Sequence, residues 1–198
     1  MVKFLNNSNL EPLIKLRESY SRAVSKNQKL VQAISISSYN PILEEVSSRY
    51  VNLKYIDDNK FIFFTNYDSP KSHDFKLHNQ MSAIIFWDSI NVQIRIKGRI
   101  IKTSKEFNKK YFQERSYTKN ALAISSHQSK RIESFEKVKE NFNRTLESNE
   151  LKECPDYWGG YSFAPYYFEF WEGNESRLNN REVYNIENDV WRNYILEP

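Results

Sequence analysis

Six basic residues, Arg49, Lys54, Lys71, Arg115, Arg177 and Arg181, stand in or beside stretches patterned for ordered structure, together with the polar residues Thr65, Gln93, Gln128 and Ser129. A ligand made of a phosphate and a planar ring needs charge-assisted donors at one end. It also needs amides along the ring edge and an apolar or aromatic wall over the face. These residue types supply the first two, and 13 Phe, 13 Tyr and 4 Trp supply flat side chains for the third. Tyr111 and Arg115 are four positions apart, so on a helix a phenol and a guanidinium would project from one face, either to grip one phosphate or as an exposed helix pair. Arg49 and Lys54 are five apart. In a regular strand that odd separation sends them to opposite faces, to serve different groups unless a bulge intervenes.

Other chemistries lack their signatures. No G-x-S-x-G elbow, P-loop or G-x-G-x-x-G sequence occurs. His73, His78 and His127 have no metal-ligand spacing with one another or with Cys154, so no metal is expected. Cys154 is the single cysteine, which excludes an internal disulfide framework and points to a reducing compartment, the cytoplasm. The formal net charge of +4 is small and interspersed with acids such as Glu44-Glu45, Asp57-Asp58 and Glu187–Asp189. It favours small anionic ligands over nucleic acid. Met1–Glu11 has no apolar run of the length a secretion signal needs, and no segment is long enough to cross a bilayer, so no membrane role is expected.

The elements that must position these residues read mostly as strands. At 198 residues a single core is the default. A helix is expected from about Glu11 to Lys26, where Leu13, Leu16, Tyr20 and Ala23 recur at helical spacing and Pro12 suits a first turn. From Leu30 the pattern turns to β: LVQAISIS, SSRYVNLKYI and FIFFTN, then a short helix from Ser69-Pro70 to about Asn79, then MSAIIFW and NVQIRIKGRIIKT around a turn at Asp88–Ile90. Residues 104–148 read as helical, with Ile132, Phe135, Val138 and Phe142 on one face. The remainder returns as aromatic strands broken by Gly159-Gly160 and Gly173-Asn174. Many short antiparallel strands with inserted helices imply a mainly β (α+β) fold, a small closed or split β-barrel with peripheral helices. The expected organisation is an N-terminal helical segment, 1–29, and one domain, 30–198, with the helical insertion inside it.

At the C-terminus, WGGY (Trp158–Tyr161), EFWEG (Glu169–Gly173), RLNNR (Arg177–Arg181) and the final WRNYILEP resemble the closing signature of pyridoxamine 5′-phosphate oxidases. RYVNLK (Arg49–Lys54), FFTN (Phe63–Asn66), SPK (Ser69–Lys71), WDSINVQ (Trp87–Gln93), YFQER (Tyr111–Arg115) and HQS (His127–Ser129) resemble the family's motifs in the same order. The resemblance implies an FMN-binding split β-barrel, a homodimer with FMN at the subunit interface. It implies oxidation of pyridoxamine or pyridoxine 5′-phosphate to pyridoxal 5′-phosphate, with O2 as acceptor. The implied FMN contacts are Arg49, Tyr50, Val51, Asn52, Leu53, Lys54, Phe64, Thr65, Lys71, Gln93, Gln128, Ser129, Trp171 and Arg181. The implied substrate contacts are Lys54, Tyr111, Arg115 and Arg177, with Arg177 beside the reacting carbon.

Three departures from the family pattern stand out. Pro70 replaces the arginine of S-R-K, which removes a phosphate donor and shifts load to Lys71 and Thr65. Lys119 stands where the family has a serine and adds a cation on the substrate side. Asn179-Asn180 replaces His-Asp, so a group that titrates near neutrality is lost beside the substrate. These departures leave two alternatives: a related FMN oxidase of another reduced aromatic or heteroaromatic compound, as in phenazine biosynthesis, and a non-catalytic flavin-binding module.

Overall fold

The computed structural model describes residues 1–147 and 150–198. Strands β1 (Lys3–Leu5), β2 (Ala33–Asn40), β3 (Glu45–Asp57), β4 (Lys60–Asn66), β5 (Gln80–Trp87), β6 (Val92–Lys102), β7 (Trp158–Glu172), β8 (Asn180–Glu187) and β9 (Val190–Leu196) form one sheet. Antiparallel pairing runs β3-β2-β5-β6-β7-β4 and back to β3, so six strands close a barrel. Closure leaves none of the six with an open edge along its whole length. β1 adds in parallel to the end of β3, while β8 and β9 extend the sheet beyond β7.

The sequence explains the closure. β5 alternates exposed and buried at every residue, with Met81, Ala83, Ile85 and Trp87 inward. Phe61, Phe63, Phe163, Phe168, Ile34, Ile36, Ile94 and Ile96 fill the interior and are fully buried. Helix α1 (Glu11–Ser25) covers one end with the expected face, Leu13, Leu16, Tyr20 and Ala23. Residues 1–29 carry β1 as well, a strand the sequence pattern does not reveal.

Two expectations need correcting. Gly159 and Gly160 do not break a strand; they sit inside β7, paired with Thr65 and Phe64 of β4. Their role is close approach, since a Cβ on Gly159 would lie 2.3 Å from the Tyr67 hydroxyl oxygen and 2.4 Å from Asn108 Nδ2. Asn108 Nδ2 donates to the Tyr67 hydroxyl, which in turn donates to the Gly160 carbonyl, so neither atom can retreat freely. Gly159→Ala is therefore expected to destabilise by about 1–3 kcal/mol, seen as a lower urea midpoint at unchanged m-value. The helical arm consists of α3 (Lys105–Glu114), α4 (Tyr117–Ser125) and α5 (Phe135–Leu146). Because Ser134 caps α5 by accepting from the Lys137 amide, Ile132 lies before the helix and off the face assigned to it. The expected end of the arm at Ser148 lies outside the described residues. Helix α2 (Pro70–Leu77) completes the list, with Pro70 in its first turn.

Candidate functional site

β3, β4, α2, α3 and α4 border a cleft of about 790 Å³, a size typical of small-molecule sites. β3 supplies Arg49, Tyr50, Val51, Asn52 and Lys54. Its pairing with β4 shifts register between Leu53 and Tyr55. That irregularity changes the phase of the strand, so Arg49 and Lys54 both reach the cleft despite their odd separation. Leu53, by contrast, turns its side chain into the core and is 3% exposed, leaving only its backbone for any ligand.

The cations form two groups. Arg49 Nη1 donates to Ser38 Oγ, which in turn donates to Asp74, buried on α2. Lys71, 4% exposed, donates to Ser69 Oγ. Burial, assisted by the charge of Arg49, pushes the Lys71 ammonium down to about 8. At the other group, burial lowers Lys54, and the charges of Lys119 and Arg115 lower it further. Arg115 is the C-cap of α3 with extended backbone, so it reaches the cleft by leaving the helix and not by the helical spacing from Tyr111. Its guanidinium lies 4.4 Å over the Trp158 ring, Nη2 donates to the Lys119 carbonyl, and buried Nη1 has no hydrogen-bond partner among the described residues.

Aromatic rings line the wall between. Phe64 stacks on Tyr111 at 3.8 Å and on Trp158 at 5.2 Å. Gln128 Oε1 accepts from Thr65 Oγ1 and the Asn66 amide, which pins the α4–α5 loop to β4. Neighbouring Ser129 has φ of 67° and is exposed, outside the cleft lining.

The remaining candidates lie elsewhere on the chain. Gln93, Trp171 and Arg181 form one cross-strand row on β6, β7 and β8. Arg177, with φ of 61°, sits exposed in the turn between β7 and β8. Asn179 Oδ1 accepts from the Asn174 amide and braces that turn. The structure thus brings Arg49, Tyr50, Val51, Asn52, Lys54, Phe64, Thr65, Lys71, Tyr111, Arg115, Lys119 and Gln128 to one cleft, and leaves Gln93, Trp171, Arg177, Asn179 and Arg181 as a separate strip.

Several lining residues escape the sequence reading. Met1 and Lys3 reach the rim through β1, and Trp158 supplies the surface under Arg115. Trp158 and Glu169 stand in the WGGY and EFWEG motifs, which are their sequence signals; Asp74 carries none, since its importance lies in which arginine it meets. No helix among the described residues is long and apolar enough to cross a membrane.

A closed six-stranded antiparallel barrel with flanking helices and a cleft on its side defines the class of split β-barrel folds. A family model described as pyridoxamine 5′-phosphate oxidase matches residues 32–147, and one described as the pyridoxine 5′-phosphate oxidase C-terminal dimerisation region matches residues 158–198. The pyridoxine/pyridoxamine 5′-phosphate oxidase of Cytophaga hutchinsonii is 38% identical over 157 residues, covering 77% of this chain and 73% of that protein. The protein of that name from Psychromonas ingrahamii is 35% identical over 191 residues, covering 95% and 87%. PhzG from Burkholderia lata, solved in complex with tetrahydrophenazine-1-carboxylic acid, superposes with a TM-score of 0.87 at 25% identity, covering 95% of this chain and 93% of PhzG. The chain belongs to the pyridoxamine 5′-phosphate oxidase family, a family of oxidoreductases.

Proposed function

We propose that the chain is an FMN-dependent oxidase that converts pyridoxamine or pyridoxine 5′-phosphate to pyridoxal 5′-phosphate with O2 as acceptor, working as a homodimer whose FMN-binding unit is residues 30–198. One observation carries the reading: a single cleft holds two distinct cation groups, Arg49 with Lys71 and Lys54 with Arg115 and Lys119. Collecting like charges in a partly desolvated cleft costs energy unless anions arrive to meet them. Two groups suit two phosphates, one on a cofactor and one on a substrate. Nη1 of Arg115, unpartnered among the described residues, is a donor suited to such an acceptor.

The residues fit FMN. Arg49, Lys71, Thr65 and Gln128 supply donors for its phosphate, and the β3 segment from Tyr50 to Asn52 supplies backbone along the cleft. FMN, when bound, supplies the two-electron oxidation of the amine- or alcohol-bearing carbon and passes the electrons to O2. Lys54, Tyr111, Arg115 and Lys119 hold the substrate phosphate and so fix the distance of that carbon from the cofactor. Gln93, Trp171, Ser129 and Arg181 complete the cofactor site, and Arg177 and Asn179 flank the reacting carbon. Two copies of the chain satisfy this, the strip of one closing the cleft of the other. The match of residues 158–198 to a dimerisation region supports that arrangement.

Lys119 and Asn179, with the likeness to PhzG, favour a second reading in which the same cleft oxidises a reduced aromatic acid. The visible absorbance of the purified protein, followed by peroxide release with pyridoxamine 5′-phosphate, separates these. Yellow protein that turns over the vitamer is expected. Flavin reduction by a dihydroaromatic acid but not by the vitamer moves the assignment to the second reading, and yellow protein that no reductant bleaches indicates a binding module. Protein that neither carries nor takes up flavin overturns the proposal.

A further inference from the structure

We propose that Glu169 is a positioning residue for the flavin site, holding the Arg181 guanidinium in the one orientation that leaves two N–H groups free for the cofactor. The inference rests on the cofactor role proposed for Arg181 and adds a residue that role does not include. Glu169 lies on β7 opposite Arg95 of β6, two residues from Trp171, which pairs with Arg181 of β8. Its carboxylate is therefore the diagonal neighbour of Arg181 on one face of the sheet, within reach of a long side chain.

The contacts saturate that carboxylate. Oε1 accepts from Arg181 Nε at 3.0 Å and Nη2 at 2.9 Å. Oε2 accepts from Arg95 Nη1 at 2.7 Å and from the Tyr167 hydroxyl at 2.9 Å. With about four acceptor positions on a carboxylate all engaged, Glu169 has no capacity to act as a base or to bind a ligand itself. Arg181 Nη1 donates in addition to the Glu197 carbonyl at 2.9 Å. Of the five guanidinium N–H groups, three are thereby committed, one on each nitrogen. The plane is fixed, and the two that remain sit on Nη1 and Nη2.

Stability alone does not call for this arrangement. Glu169 is only 2% exposed, and burying a carboxylate carries a desolvation penalty that an apolar side chain would not. Burial pushes its proton affinity up, but hydrogen bonds from Arg181 and Tyr167 and the charges of Arg95 and Arg181 outweigh that, and the carboxyl stays below its ordinary range. The charge is kept where an arginine must be aimed.

A double-mutant cycle on the full chain tests this, with FMN affinity from fluorescence quenching and the apoprotein's thermal midpoint as readouts. E169Q is expected to weaken FMN binding about tenfold with Arg181 present and less than about twofold in the R181A background, a coupling of at least about 1 kcal/mol. Equal losses in both backgrounds, whatever the thermal midpoint does, mean a general structural role and overturn the proposal, as does no loss in either. If E169Q fails to fold, E169D, which keeps the charge but shortens the reach, is judged by the same two ratios. Should R181A bind FMN as tightly as the unaltered chain, this inference falls while the cofactor assignment stands. Should the unaltered chain bind no FMN, the proposed function falls and takes this inference with it.

Discussion

Arg115→Ala is expected to lower kcat/KM for pyridoxamine 5′-phosphate by about 30-fold to several thousand-fold, while FMN affinity changes by less than about twofold. The range follows from truncating one partner of a buried charge pair, which costs roughly 2–5 kcal/mol. Arg115 is suited to that weight because it is held before any ligand arrives. The Trp158 ring supports its guanidinium from one side at 4.4 Å, and the Lys119 carbonyl accepts from Nη2 at 3.0 Å. Little orientation remains to be lost when Nη1 meets a phosphate. Lysine at this position keeps the charge but loses the planar fork and the stacking, so R115K should recover only part of the activity. Lys119→Ser should cost far less, since that side chain is exposed and its field is screened by salt. Steady-state kinetics on flavin-loaded protein decide. Loss of FMN in parallel with turnover, or an R115A enzyme as active as the parent, removes Arg115 from the substrate phosphate.

The contrast between Arg115 and Arg49 shows how the site was legible. Residue types and motif order place both at a ligand, and the many short strands with helices inserted among them suffice to predict the barrel that carries Arg49. Helical spacing misplaced Arg115, which sits where its helix ends, whereas for Arg49 and Lys54 the exception for a bulge applies, with Lys54 at the slip. Arg115 follows the last turn of α3, and the register shift between Leu53 and Tyr55 changes the phase of β3. Periodicity describes only the interior of an element, whereas sites gather at irregularities that only pairing partners reveal. Gly159 and Gly160 illustrate the converse, since a pair that reads as a break proves to be a strand segment pressed against Tyr67, Asn108 and Thr103. The supports of the cations were hidden for a further reason. Asp74 and Glu169 act across 25 and 12 residues of sequence on Arg49 and Arg181, and only the fold makes them neighbours.

The position of Pro70 gives Lys71 the largest expected effect on the cofactor side. The family's arginine at Pro70 is replaced by a residue with no donor, and Lys71 is the one cation on α2 that lines the cleft. Burial first, and the Arg49 charge second, bring its ammonium to about 8, whereas the unfolded chain keeps that proton up to 10.5. Between those values the unfolded state binds more protons, so this group's contribution to apoprotein stability rises with pH across that window. A bound phosphate dianion reverses the preference by favouring the charged amine. FMN affinity should therefore be greatest below pH 8 and fall as pH rises through it, by up to tenfold per unit, since the cofactor phosphate is already dianionic there with its second pKa near about 6. Lys71→Met should remove this slope and weaken FMN at pH 7 by about 30-fold or more. The same change should raise the apoprotein's thermal midpoint at pH 7, because a buried ammonium with a single hydrogen bond to Ser69 gives way to an apolar chain of similar length. Fluorescence titrations from pH 6.5 to 9.5 on both proteins check the first pair of outcomes and thermal melts check the third. A parent protein whose affinity is flat across pH 8, or a K71M variant that keeps the slope, would mean that Lys71 does not face the cofactor phosphate and that Arg49 and Thr65 carry it without help from α2.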